Sequence, residues 1–236
     1  MHLERIHIYA EKFPLTDVYP FNLKVLQKTA SLSFTSPVTF LIGENGCGKS
    51  TLLRAIANKC GIHIWRGTEM RHYQVNKYAD RLYQYIEPEW EQAPVNGAFF
   101  ESEMFHHFAE MVDDCAKATP EYLNYYGGEP LRAKSHGQYH MAYFKNRYKI
   151  KGLYLLDEPE NALSPRRQIE LLGLLKEMGT AGHAQFIIAS HSPILLALPA
   201  AVIYSMDQAP ISPSSYEDTD YYQLYKDFLN DRHRFI

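Results

Sequence analysis

Gly43-Glu44-Asn45-Gly46-Cys47-Gly48-Lys49-Ser50-Thr51 follows directly on the apolar run Val38-Thr39-Phe40-Leu41-Ile42. A buried strand, then a glycine-rich turn that opens a helix, is the order a phosphate-binding loop needs. Gly43, Gly46 and Gly48 let the backbone bend until consecutive N–H groups converge on one anion, and a helix beginning at Lys49 adds the positive end of its dipole. In this spacing Lys49 reaches the β- and γ-phosphates of a nucleotide, and the Ser50 hydroxyl holds Mg²⁺. The alternative is a plain glycine turn. The spacing arises by chance in roughly one chain of this size in a hundred, and Leu52, Leu53 and Ile56 continue it as an apolar helix face to about Asn58. Cys47 lies inside the loop, either as a thiolate favoured by the surrounding N–H groups or as a packing cysteine.

The chain has 236 residues, 46% of them hydrophobic, enough to bury one sizeable core. No apolar run approaches the roughly 20 residues that span a bilayer, and Met1 to Arg5 lack the apolar centre of a signal peptide, so a cytoplasmic location is expected. Three cysteines, Cys47, Cys60 and Cys115, fit no metal spacing and read as reduced thiols. A net charge of −3 gives no global attraction to nucleic acid. The basic run Lys145 to Lys151 reads as a solvated helix end before it reads as a binding patch.

Ile6 and Ile8, then Leu32 and Phe34, alternate with polar neighbours and predict two short strands ahead of the loop. From about residue 65 to 134 the composition turns to tyrosine and glutamate, is interrupted at Pro88, Pro94, Pro120 and Pro130, and shows helical spacing at Met104, Phe108, Met111 and Val112. A mostly helical insertion in a single 1–236 domain is expected. Its aromatics, including Tyr73, Tyr78, Tyr83, Tyr85 and Trp90, suit a small core better than a base-stacking surface.

Strong signals return at Leu153-Tyr154-Leu155-Leu156-Asp157, a buried strand that ends in Asp157 and Glu158. Carboxylates at that position are costly unless a cation meets them, and the carboxyl edge of a parallel sheet is where ligands bind. Mg²⁺ is the expected cation at Asp157, with Glu158 polarising the water that attacks the γ-phosphate. Ser164 caps and Pro165 opens a helix with Leu171, Leu172, Leu175 and Met178 on one side, closing at Gly179. The strand Gln185 to Ser190 delivers His191 to the same edge, where a γ-phosphate contact is expected.

With these residues in view the chain resembles the ABC-class ATPases, which include transporter nucleotide-binding domains and the SMC-like and RecF-like DNA-maintenance ATPases. Gly43 to Thr51 is similar to Walker A, Leu153 to Glu158 to Walker B with its following glutamate, and Asn161 to Ser164 to the D-loop. His191 is similar to the switch histidine, and Ser135-His136-Gly137-Gln138 to the signature motif. The phrasing is most similar to small stand-alone bacterial AAA-type ATPases. The resemblance implies an α/β P-loop NTPase fold: a mainly parallel sheet flanked by helices, a short antiparallel N-terminal β-subdomain and a helical insertion. It also implies Mg²⁺-dependent ATP hydrolysis with Glu158, His191 and Lys49 as catalytic residues. Ser135, Gly137 and Gln138 of one copy would close on the ATP of another in a head-to-tail homodimer.

An unidentified effector chain or a DNA-related process is the expected beneficiary, and a transporter's nucleotide-binding subunit is the alternative. The chain departs from the family pattern at three places. His136 stands where a signature glycine is usual, Pro165 follows the D-loop, and no Q-loop glutamine is evident. Glu103 lies in a suitable place for that last role, and Tyr19 or Phe21 for the adenine-stacking aromatic.

Overall fold

The structure, a computed structural model, describes residues 1–65, 76–133 and 136–236. Its order is β1 (Leu3–Ile8), α1 (Lys24–Lys28), β2 (Ser31–Ser33), β3 (Val38–Ile42), α2 (Lys49–Lys59), β4 (Ile86–Trp90), β5 (Gly97–Glu101), α3 (Phe105–Ala118) and α4 (His136–Arg147). These are followed by β6 (Gly152–Asp157), α5 (Pro165–Thr180), β7 (Ala184–Ala189), α6 (Pro193–Leu196), β8 (Val202–Ser205), β9 (Ser212–Ser214) and α7 (Asp220–Asn230).

Among the described residues the main sheet runs β5-β6-β7-β3-β8-β9, parallel except for β9, and an antiparallel sheet runs β2-β1-β4. Strands β3, β6 and β7 are buried along their whole length. This is why they read as continuous apolar runs: a parallel sheet covered on both faces has no polar side. Alternate residues serve opposite cores. Phe40, Leu156, Phe186 and Ile188 join one with α3, α4 and α5. Leu41, Leu155, Ile187 and Ala189 join the other, which fills the space to α2 and the antiparallel sheet. Each fully buried Leu, Ile or Phe here contributes about 1.5–3 kcal/mol relative to exposure.

The two short strands expected near the N-terminus are β1 and β2. The segment expected to be a mostly helical insertion is corrected in part. Residues Ile86–Trp90 pair with β1 and residues Gly97–Glu101 with β6, so both are sheet strands, and helix begins only at Phe105. Tyr78, Tyr83, Tyr85 and Trp90 pack against the core beneath the antiparallel sheet and not within an insertion of their own. Tyr73 lies outside the described residues. Ser164 precedes α5 as expected, but its side chain makes no capping hydrogen bond, and Gly179 is a buried helix residue packed near Pro37.

Candidate active site

Parallel register brings the chemistry to one edge. Leu41 and Asp157 both lie opposite Ala189, and Glu101 lies opposite Asp157, so the residues just past β3, β5, β6 and β7 emerge side by side. The loop after β3 turns on glycines in the left-handed region, with φ of 144° at Gly43, 86° at Gly46 and 109° at Gly48. There a side chain costs about 1–2 kcal/mol. Lys49, only 4% exposed, curls back so that its ammonium donates to the carbonyls of Gly43 (2.6 Å) and Glu44 (3.1 Å). Asp207, after β8, accepts from the Glu44 N–H at 2.7 Å and steadies the start of the loop.

The Ser50 hydroxyl donates to Asp157 Oδ1 at 2.9 Å, joining the first turn of α2 to the tip of β6. Asp157 is 6% exposed, and burial pushes its carboxyl up to about 6, against the Ser50 hydrogen bond and with the neighbouring Glu101 charge. Such a carboxylate favours a cation beside it. Ser50 and Asp157 fit Mg²⁺, which takes one or two protein oxygens and leaves its other positions to phosphate and water. Among the described residues no group of three or more His, Cys, Asp or Glu could hold a metal ion. Glu101 is ion-paired to Arg54 of α2, a carboxylate next to the site that the sequence did not single out.

Glu158 has φ 47° and ψ 55°, a left-handed backbone in a non-glycine residue. Such strain persists only where the surroundings hold it, and it concentrates at functional sites. Here the Glu158 N–H donates to Ala189 O (3.0 Å) and its carbonyl accepts from the Ser102 hydroxyl (2.7 Å). The Asn161 amide donates to the Glu158 carboxylate at 2.8 Å. Glu160, whose carboxyl burial pushes upward, accepts from the Ser190 hydroxyl (2.9 Å) and the His191 N–H (2.5 Å), so the segment after β6 grips the one after β7. His191 Nε2 stands 3.4 Å from Glu158 Oε1. Burial first, then the Lys49 charge, pushes His191 below its ordinary value, with Glu158 opposing. Its Nδ1 is 2.6 Å from the Tyr221 hydroxyl, which donates to Gly43 O at 2.9 Å. Nothing in the sequence pointed to Tyr221 or Glu160.

Of the residues expected to bind nucleotide or metal, Gly43 through Thr51, Asp157, Glu158 and His191 share this edge. Gly137 and Gln138 lie elsewhere, in the first turn of α4, with Gly137 facing Ala162 and Arg167. Ser135 lies outside the described residues. The thiolate alternative for Cys47 is corrected: burial raises its thiol despite Lys49, whose ammonium lies 3.9 Å from the sulfur. Glu103 is exposed on the turn after β5. Phe21 is core, packed on Phe13, Tyr78 and Tyr85, whereas Tyr19 is 41% exposed and hydrogen-bonds Thr51.

A family model described as "AAA domain, putative AbiEii toxin, Type IV TA system" matches residues 134–197, and one described as "AAA domain" matches residues 21–60. Between them they take in the phosphate loop, both carboxylates and His191. The chain is an ATPase similar to AAA domains and to ABC ATP-binding proteins. This ATPase is 27% identical over 191 residues to the thiamine import ATP-binding protein ThiQ of Ruegeria sp., covering 71% of the chain and 76% of ThiQ. It is 26% identical over 198 residues to the cobalt import ATP-binding protein CbiO of Salmonella paratyphi A, covering 78% and 73%. Among solved structures it superposes on cbiO1 from Clostridium perfringens with a TM-score of 0.54 at 15% identity, covering 99% of the chain and 98% of cbiO1. An SmcHead bound to the C-winged helix domain of ScpA gives 0.55 at 13%, covering 92% and 99%. These likenesses show a shared fold.

Proposed function

We propose that this ATPase is an ATP-driven dimer switch: two copies close head to tail around two Mg-ATP, hydrolyse it and separate, driving a partner protein or a DNA-related process. The observation that carries the reading is the contact of Ser50 with Asp157 at 2.9 Å, with Lys49, Glu158 and His191 on the same sheet edge.

In this reading the loop N–H groups from Gly43 to Thr51 and the Lys49 ammonium cradle the β- and γ-phosphates. Ser50 and Asp157 hold Mg²⁺, which when bound neutralises charge on the phosphate oxygens. Tyr19, which hydrogen-bonds Thr51, would support the adenine. Glu158, held by Asn161, accepts a proton from the attacking water as the bond from Pγ to the ADP oxygen breaks. His191 faces the γ-phosphate. Gly137 and Gln138, in the first turn of α4, together with Ser135 supply the second anion site to the partner copy's nucleotide.

The test compares variants for ATP affinity and phosphate release. Lys49→Ala is expected to lose nucleotide affinity, because the phosphates lose their buried cation. Glu158→Gln is expected to bind ATP normally and hydrolyse it about 10²- to 10⁴-fold more slowly, the usual effect of losing a positioned base. Turnover within threefold of wild type in Glu158→Gln would reject the base assignment.

A second reading, the nucleotide-binding subunit of a membrane importer, is favoured by the printed names of the curated relatives, which are import ATP-binding proteins. No helix among the described residues is long and apolar enough to cross a membrane, so in that reading the span belongs to another chain. Purification of the native chain separates the two: a co-purifying integral membrane protein supports import, and a soluble effector or DNA-stimulated turnover supports the switch. Either way a cytoplasmic location is proposed.

A further inference from the structure

We propose that Tyr221 is a positioning residue for ATP hydrolysis: it fixes the tautomer of His191 and ties the C-terminal helix α7 to the phosphate loop.

The hydrogen-bond inventory leaves one arrangement. Gly43 O is a carbonyl and can only accept, so at 2.9 Å the phenol proton of Tyr221 is spent on it. The same oxygen lies 2.6 Å from His191 Nδ1 and has only lone pairs left to offer, so Nδ1 carries a hydrogen and donates. Burial pushes the Tyr221 phenol up to about 12, which keeps it a donor. His191 Nε2 is then the nitrogen left for the reaction. It is buried, has no hydrogen-bond partner among the described residues and is turned toward Glu158 Oε1 at 3.4 Å. Without the phenol, a neutral imidazole is free to carry its hydrogen on Nε2, which exchanges an acceptor for a donor at the position facing Glu158.

Tyr221 is well placed to hold this register. Thr219, buried at the N-cap of α7, accepts from the Tyr222 N–H (3.3 Å) and donates to Tyr216 O (2.7 Å), so the first turn of the helix is pinned where Tyr221 leaves it. Gly43 O also accepts from Lys49 at 2.6 Å. Removing the phenol therefore leaves the loop carbonyl partnered, and the loss should fall on turnover more than on ATP affinity.

The inference rests on His191 acting in hydrolysis, so the experiment is a double-mutant cycle on the full chain with Mg-ATP. Tyr221→Phe is expected to lower kcat about 10- to 100-fold, the usual effect of losing the group that orients a working histidine, with KM within about twofold. Tyr222→Phe, on the same helix but stacked on Tyr216, serves as the control and is expected to match wild type. Tyr221→Phe/His191→Ala should be no slower than His191→Ala alone, because both changes remove one function. Nitrogen NMR of histidine-labelled protein, with His191 assigned from the His191→Ala spectrum, should show Nδ1–H in wild type and a shift toward Nε2–H in Tyr221→Phe. Impaired His191→Ala beside an unimpaired Tyr221→Phe, additive defects, or an unchanged tautomer would overturn the inference alone. Wild-type turnover in His191→Ala would instead overturn the role given to His191, and the inference with it.

Discussion

Asp157 carries two opposed demands, burial at the end of a sheet strand and ionisation for a cation. Its carboxyl stands at about 6 in the fold against 3.8 ordinarily, so between these values the folded chain holds more proton than the unfolded one. A folded-state value raised above the unfolded one means that an ionised Asp157 subtracts stability. The deficit is absent below about pH 4, grows as pH rises to about 6 and is complete at pH 7. Asp157→Asn should therefore stabilise the nucleotide-free chain by about 1–3 kcal/mol at pH 7 and by nothing near pH 4, while Mg²⁺-dependent hydrolysis is lost. Denaturant unfolding at the two pH values checks this, and equal effects at both would contradict the burial argument.

Lys49, Ser50, Asp157, Glu158 and His191 were legible because each stands at a strand end or helix start, where a few neighbouring residues already define the geometry. Tyr221 and Glu160 were not. Tyr221 meets Gly43 across 178 residues, and one tyrosine among 18 has no local pattern to set it apart. Glu101 was hidden for a related reason: its role follows from lying opposite Asp157 in the sheet, a pairing that the strand's own composition does not show.

At the scale of elements, β4 was missed because Pro88 read as a break. The antiparallel sheet is ordered β2-β1-β4, so β4 is an edge strand, and an edge is where proline's missing N–H is tolerated. Strand β5 was hidden within the segment read as a mostly helical insertion, because its aromatic residues and the helical spacing that follows share one composition. It is the edge strand of the main sheet and presents Glu101 to Arg54. Its fit depends on Gly97, where an added Cβ would run into the backbone carbonyl of Leu153 and, at 2.6 Å, into the side chain of Ile62. Gly97→Ala should therefore loosen the pairing of β5 with β6 and destabilise the chain by about 1–3 kcal/mol, as overpacking does elsewhere. Hydrogen exchange should quicken in β5 before it does in β3 or β7. A variant as stable as wild type would mean that the strands pack less closely than described.

At the scale of the whole molecule, one edge of one sheet gathers the loop, the cation pair, the proposed base and His191, while Gly137 and Gln138 sit in the first turn of α4 against the segment after β6. A parallel α/β sheet was legible from its fully buried apolar runs. How two such molecules would meet is a proposal that rests on resemblance, and Ser135 lies outside the described residues. The dimer-switch reading requires that a second copy bring its α4 to the nucleotide. The most direct measurement is the mass in solution of Glu158→Gln, with and without saturating Mg-ATP, beside Glu158→Gln/Ser135→Arg. The expected result is a doubling of mass on adding ATP to Glu158→Gln and none in the double variant, which should still bind ATP through Lys49. A monomeric Glu158→Gln chain at saturating Mg-ATP, with wild-type hydrolysis first order in protein at every dilution, would contradict the dimer switch and leave a monomeric P-loop ATPase.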